Sequence, residues 1–505
     1  MMSPLPASKW NYSTAAHLLN RAGFGGTPDD VQKLLNLGLD GAVSYFVDYE
    51  KIPDDTAPPD WAKPNLRRAD YQRQLQDLNR QERAALTEDE KTKIAGRRRD
   101  LQQQFQREMT LQLLQMRAAW IERMATGPRP LQEKLTLFWH GHFATSIVKV
   151  RETYFMWRQI QTFRQLASAN WRDLLESVAT DPAMLIWLDQ AQSRKEHPNE
   201  NFARESMELF TLGEGHYSEK DVTEAARAMT GWSLDRETES YRYRLFLHDN
   251  GIKTVLGLTG PLTGSDVLAQ IVAQPQSSRF ITGKLWKFFA QDEADPQWIE
   301  ALADVFRSYN HNFQPFLRAL FRSEEFYSDK VMASQVKSPV QWLVSSIRML
   351  GRPMPPPAVS IEMLSSLGQD LLAPPNVKGW DGGLSWITTN TLLSRYNQAS
   401  VLVMGQGELM ASPGPGPGQA MLAQRANQMA RLMQPVNVNH IVTREQRQDK
   451  DLLLASLEKR FLRAPLSQNH RQVLRDYLSQ REKLGDDDIR HAIRLLLATP
   501  EFQVS

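Results

Sequence analysis

Not one cysteine occurs among the 505 residues, which removes disulfides, thiolate metal ligands and a cysteine nucleophile together. The compartment stays open on that count, since a periplasmic protein can also do without cysteine. Long apolar runs are missing too. The longest, such as Ala183–Leu188, fall far short of the roughly 20 residues that cross a bilayer, so no membrane span is expected. Met1 to Trp10 has no basic region followed by an apolar run. As written the chain therefore reads as cytoplasmic, and as periplasmic or exported if a leader was removed. A marked excess of one charge is also absent: 60 Lys+Arg stand against 58 Asp+Glu, a net charge of +2. Nothing there draws the chain broadly to nucleic acid or to an anionic membrane, and nucleic-acid binding is disfavoured. HExxH, GxSxG, a phosphate-binding glycine loop and a dinucleotide fingerprint are all lacking, so the well-marked enzyme classes do not apply.

What is present is core-forming material: 41% hydrophobic and 23% charged residues argue for a large folded core and against disorder. Most of it recurs at helical period, so the fold class expected is mainly α, a multi-helix core with one small β-hairpin and a projecting charged helical hairpin. Residues 1–64 read as an N-terminal helical pair belonging to the core, with Ser13 as a cap, an apolar face through Ala15, Leu18, Leu19 and Ala22, and a second helix from Thr27-Pro28. Residues 65–125 are rich in Gln, Arg, Glu and Lys and read as a long charged hairpin turning near Thr87–Glu90. Residues 126–410 read as the helical core that carries the candidate site, 411–419 as a Pro-Gly linker or loop, and 420–505 as C-terminal helices. The β-hairpin is expected from alternation at Tyr241, Tyr243, Leu245 and Leu247, a turn at Asp249-Asn250-Gly251, and a return through Thr254-Val255-Leu256.

Chemistry concentrates between Trp139 and Gly257. His140 and His142 flank Gly141 at the end of an apolar helix. Residues two apart on a helix point about 200° away from each other, so both address one point only if the helix breaks at Gly141. Glu200, Asn201, Arg204, Glu205 and Glu208 project on one polar helical face, and the four-residue spacings Glu200–Arg204 and Arg204–Glu208 are those of ordinary ion pairs. Glu224 and Arg227 are spaced to pair with each other, and His248-Asp249 lies at the mouth of the expected hairpin. Taken together, His140, His142, Glu205 and His248 are candidate ligands for a divalent metal ion, with Glu208 or Asp249 as general base and Arg204 steadying developing negative charge. The bland alternative is that these groups pair with one another and fix the helices.

The order of motifs is similar to that of a known family. His17-Leu18-Leu19-Asn20-Arg21-Ala22-Gly23-Phe24-Gly25, Phe138-Trp139-His140-Gly141-His142-Phe143, Pro198-Asn199-Glu200-Asn201-Phe202-Ala203-Arg204-Glu205, Ala226-Arg227-Ala228-Met229-Thr230-Gly231-Trp232, His248-Asp249-Asn250-Gly251 and Pro375-Asn376-Val377-Lys378-Gly379-Trp380 together resemble the bacterial DUF 1800 family. The resemblance implies a mostly helical fold of unassigned function, frequent export, and a sulfatase-like protein as a partner. It supplies no catalytic residues. Ser206 stands where relatives usually carry leucine, which puts a hydroxyl on the apolar side of its helix.

Two functions follow as expectations. One is a metal-assisted hydrolase, with non-haem iron oxidoreductase chemistry as a smaller branch of the same ligand set. The other is a non-catalytic binding or assembly protein whose polar cluster is structural and whose charged hairpin recruits a protein partner. A carbohydrate ligand is a third thought, from Trp232, Trp380 and Trp386 placed in loops. Convergence of His140, Glu205 and His248 at ligand distance would favour chemistry, and one-to-one pairing would favour structure.

Overall fold

Short polar side chains at helix starts set where the helices begin. Asn11, not Ser13, caps the first helix, Tyr12–Arg21. Its carboxamide oxygen accepts from the Ser13 and Thr14 N–H groups at 2.9 and 3.2 Å, and the Thr14 hydroxyl accepts from the Asn11 N–H at 2.8 Å, a reciprocal box that Ser13 cannot complete. The second helix, Pro28–Asn36, starts as expected behind a Thr27 cap with proline at its first position. The computed structural model describes residues 2–63, 66–235, 238–405, 409 and 417–505, and among them are 24 α-helices and two small two-stranded sheets. The chain is mainly α, and no described helix is long and apolar enough to cross a membrane. Of the expected Pro-Gly linker, residues 411–416 lie outside the described residues, and the helix Pro417–Ala430 begins on the last proline of the tract.

The charged hairpin pairs the helix Leu66–Ala84 with the 39-residue helix Glu88–Thr126, about 58 Å long at 1.5 Å per residue. Thr87 and Glu90 form a capping box at the turn. Tyr71 stacks on Phe105 with ring centroids 4.0 Å apart, and Arg98 pairs with Glu82, which ties the two arms. No described side chain from 70 to 108 is fully buried. From Met109 onward the long helix turns a face into the core through Met116, Trp120, Ile121 and Met124. Among the described residues most of the buried apolar side chains merge into one cluster running from Leu5 to Phe502.

The β structure departs from expectation. Ser240–Tyr243 pairs antiparallel with Trp232–Asp235, and Lys253–Val255 pairs with Leu258–Gly260, so there are two hairpins and neither joins 241–247 to 254–256. The cause is local. Leu245–Leu247 is a 3-10 turn with Leu245 and Phe246 63% and 67% exposed, so the alternation there did not mark a buried sheet face.

A buried carboxylate organises the elements behind the candidate site. Glu133, in the first turn of the helix Pro130–His142, is 1% exposed and accepts from Trp120 Nε1 at 3.1 Å, from Arg164 Nε and Nη2 at 2.7 and 3.0 Å, and from Arg123. Arg123 also pairs with Asp54. Glu133→Ala leaves two guanidinium groups without their shared acceptor and is expected to cost about 3–5 kcal/mol. A urea denaturation midpoint unchanged from the parent protein would refute that role.

Candidate functional site

The helix Pro130–His142 runs unbroken through Gly141, so its two histidines face apart. His140 is fully buried, and its Nε2 accepts from the Leu372 N–H at 3.1 Å. The Leu372 carbonyl in turn accepts from the Ile147 N–H at 2.9 Å. These two bonds hold Leu372 at φ 67°, a left-handed conformation that a branched side chain disfavours. Arg117 adds a bond from Nε to the Leu371 carbonyl at 2.8 Å and an ion pair to Asp370 at 2.9 Å. His140 therefore anchors the 370–372 segment, and its ring meets Trp120 and Trp380 edge-on. His142 Nε2 donates to the Phe210 carbonyl at 3.0 Å, and the ring sits among Phe138, Trp139, Phe143 and Phe210. A carbonyl only accepts, so His142 carries its proton on Nε2, and Nδ1 is a buried lone pair with no partner among the described residues. Burial, with Lys284 nearby, pushes the His142 pKa down to about 3. Burial and Arg117 do the same to His140, also to about 3.

The remaining candidates pair off. Arg204 reaches across to Glu219 with two bonds of 2.7 and 2.6 Å, not to Glu200 or Glu208 on its own helix, Glu200–Glu208. Glu208 accepts the Tyr217 hydroxyl at 2.9 Å, and Glu200 accepts that of Thr223 at 3.1 Å. Ser206 donates its hydroxyl to the Phe202 carbonyl at 2.7 Å, which satisfies it on the apolar side of the helix. Arg227 takes both Glu224, at 2.9 Å, and Asp249, at 2.8 Å, and that guanidinium holds the Asp249 carboxyl below its usual range. His248 Nδ1 donates to the Thr230 carbonyl at 3.1 Å. Glu205 is half-buried, and burial followed by Glu208 raises its pKa while Lys378 opposes the rise. Among the described residues no group of three or more His, Asp or Glu side chains is placed to hold a metal ion.

What these anchors shape is a cleft of about 430 Å³. One wall is Leu137, Phe138, Gly141 and His142. The facing walls bring Lys284 and Lys287 from the helix Pro275–Phe289, Gln335 and Gln341, Gln369, and the Lys378–Gly383 loop with Trp380 and Trp386. The loop reaches the motif helix because Gly379, at φ 82°, has no side chain: a Cβ there would lie 2.2 Å from the Gly141 carbonyl oxygen. Lys287 lies 3.7 Å from Asp292. Lys284 and Lys378 have no carboxylate within ion-pair distance among the described residues. Desolvation by the cleft wall, then the Lys287 charge, holds Lys284 below a free lysine's pKa. Gln341 and Gln369 use their oxygens on the Ser338 and Val340 N–H groups, at 3.0 and 2.9 Å, which leaves their NH₂ groups as donors.

Sequence reasoning weighed Trp380 and Trp386 but missed Lys284, Lys287, Lys378, Gln341 and Gln369. Lys378 stands inside the Pro375–Trp380 motif, and its neighbours Gly379 and Trp380 were the available signal. Lys284 carries none, since one lysine on an amphipathic helix looks like any other. Trp232, by contrast, is buried in a strand against Gly264, where a Cβ would lie 2.1 Å from its ring, so it offers no stacking surface.

A family model described as a protein of unknown function (DUF1800) matches residues 17–504, nearly the whole chain. No curated protein and no solved structure gives a significant match.

Because the folded state keeps His142 neutral down to about pH 3 while an unfolded histidine takes a proton near 6.5, the unfolded chain binds the extra proton between those values. The stability this group contributes is present above pH 6.5 and is lost as pH falls toward about 3. In urea titrations at pH 7 and pH 5, His142→Phe is expected to flatten the loss of stability by up to ~1.4 kcal/mol per pH unit. Parallel pH profiles for the variant and the parent would refute a dehydrated, neutral His142.

Proposed function

Because the chain belongs to the DUF1800 family, whose description assigns no function, we propose its role from the cleft itself: it binds an anionic, hydroxyl-rich ligand there, and an acidic carbohydrate is the class that fits best. The observation that carries the reading is the meeting of Lys284, Lys378, Trp380 and Trp386 in one cleft, from segments about a hundred residues apart in sequence. Lysine ammonium groups without a carboxylate partner attract carboxylate or sulfate substituents. The indole face of half-buried Trp380 suits stacking on the C–H face of a sugar ring, buried Trp386 walls the cleft beside it, and amide donors on Gln341 and Gln369 suit hydroxyl groups. The Gln335 Oε1 and His142 Nδ1 atoms, both buried and unpartnered, add acceptors for the ligand's own O–H groups. A volume of about 430 Å³ lies in the range of small-ligand clefts.

Binding without bond cleavage fits the polar residues better than metal-assisted hydrolysis does. Arg204, Glu208, Asp249 and His248 each spend their charge or lone pairs on a neighbour, and a ligand that met them would first have to break those pairs. Glu205 is the exception: burial and then Glu208 raise its pKa, and the Lys378 charge opposes that rise.

Calorimetric titration with uronate-bearing, sulfated and neutral oligosaccharides tests this. Acidic oligosaccharides are expected to bind, and Lys284→Ala with Lys378→Ala to weaken them about tenfold or more, the scale of one charge-assisted bond. Trp380→Ala is expected to weaken all of them. Equal binding of neutral oligosaccharides, or indifference to the double lysine variant, would overturn the proposal. Elemental analysis adds an independent arm: near-stoichiometric metal lost in both His142→Ala and Glu205→Ala would replace it with metal-assisted hydrolysis.

A further inference from the structure

A second cavity, of about 180 Å³, opens between the first helix, the Met332-Ala333 segment and the end of the helix Lys450–Phe461. Its volume is well above the ~15 Å³ that one water requires. Tyr12, Ser13 and His17 line it from the first helix, and Lys459 and Arg463 line it from the other side. No aspartate or glutamate does so among the described residues, and neither Lys459 nor Arg463 has a carboxylate at ion-pair distance among them. Ser13 and Lys459 are exposed, so the cavity is open to solvent.

Three of its polar atoms are buried without a partner: Tyr12 Oη, His17 Nε2 and Arg463 Nε. Leaving such groups unmet is costly, and native structures rarely tolerate several in one place. His17 is only 3% exposed. Arg463 spends Nη1 and Nη2 on the Leu462 and Arg460 carbonyls, at 2.9 and 3.2 Å, which fixes its plane and leaves Nε over. Lys459 Nζ lies 4.3 Å from the centre of the Tyr12 ring.

The donors outnumber the acceptors, and the one strict acceptor is informative. Burial, then the Arg21 charge, keeps His17 neutral, and its one hydrogen bond goes to the Phe326 backbone. A backbone carbonyl only accepts, so the nitrogen facing it carries the proton and Nε2 presents a lone pair. A ligand that satisfies this cavity must therefore be an anion for Lys459, Arg463 and the Tyr12 hydroxyl while still carrying a proton to give to His17. Sulfate meets the first demand and fails the second. A phosphomonoester, with its second pKa near 6, has mostly lost its proton at neutral pH. Inorganic phosphate retains at least one.

We propose that this cavity is a binding site for inorganic phosphate, distinct from the cleft and independent of the role assigned to it. The test is calorimetric titration of the full-length protein, dialysed free of phosphate, at pH 7 and constant ionic strength. Potassium phosphate, potassium sulfate and methyl phosphate, a monoester with no hydroxyl group on its alkyl part, are the probes. Phosphate is expected to bind at one site per chain, about tenfold or more tighter than either of the others, because each leaves the His17 lone pair unmet. Tyr12→Phe removes only a hydroxyl, and Lys459→Met removes only an exposed charge, so both variants should fold, as circular dichroism would verify. Each is expected to weaken phosphate about tenfold and to leave titrations at the cleft unchanged. Equal affinity for sulfate and phosphate, phosphate affinity unaltered in both variants, or no phosphate binding at millimolar concentration would each overturn the proposal.

Discussion

Buried arginine and lysine side chains that bind backbone carbonyls of distant segments are what the rest of this structure depends on. Arg21 reaches the Val331 carbonyl at 2.9 Å, Lys134 that of Gly23 at 2.9 Å, and Lys337 that of Phe502 at 2.7 Å. Arg348 takes Gly25 and Ala125 together, at 2.7 and 2.8 Å, and Arg460 takes Met349 at 2.6 Å. Most of these acceptors belong to helix ends or the loops beside them, where carbonyls lack helical partners and carry partial negative charge. A cation placed there satisfies the carbonyls and joins two elements in one step. Because a carbonyl carries only a fraction of a charge, the cation is not neutralised. Desolvation consequently pushes Arg21 down to about 9 and Arg395 to about 10, and holds Lys134 and Lys337 far below a free lysine.

The same arrangement accounts for the character of the cavities. A net charge of +2 gives neither sign a marked excess in the chain as a whole, yet the interior holds cations whose partners are carbonyls and ring faces. Lys134 faces the Phe24 ring at 4.7 Å, and Lys337 the Phe502 ring at 3.7 Å. Where helix ends meet and leave space, lysine or arginine is the charge already at hand. Acidic residues are concentrated instead at caps and in surface pairs, apart from hubs such as Glu133, so they are poorly placed to gather around an ion.

Local punctuation was legible in the sequence, and long-range partnership was not. Thr27-Pro28 and the Thr87–Glu90 turn mark helix starts because a cap needs only three or four adjacent residues. The Glu224–Arg227 pair was legible for the same reason. Arg204 shows the limit: its spacing to Glu200 and Glu208 is right for helical pairs, but Glu219 on the next helix offers two parallel bonds and wins. His140 illustrates it further, since its partner Leu372 lies 232 residues away and contributes a backbone N–H, a group every residue but proline carries. No residue type could have announced that bond. The unnoticed lysines of the cleft belong to the same category, for their meaning comes from what the fold places opposite them.

Arg21 shows how one such cation bears on groups in both cavities. It is fully buried in the first helix, with Nε and Nη1 unpartnered, and on one side its charge adds to the burial that lowers the pKa of His17. On the other side its own pKa is supported by Asp292, which lines the cleft. In an interior of low effective dielectric such interactions persist over distances at which water would screen them. One recurring feature of the fold, the buried cation held by backbone carbonyls, thus stands beside both cavities.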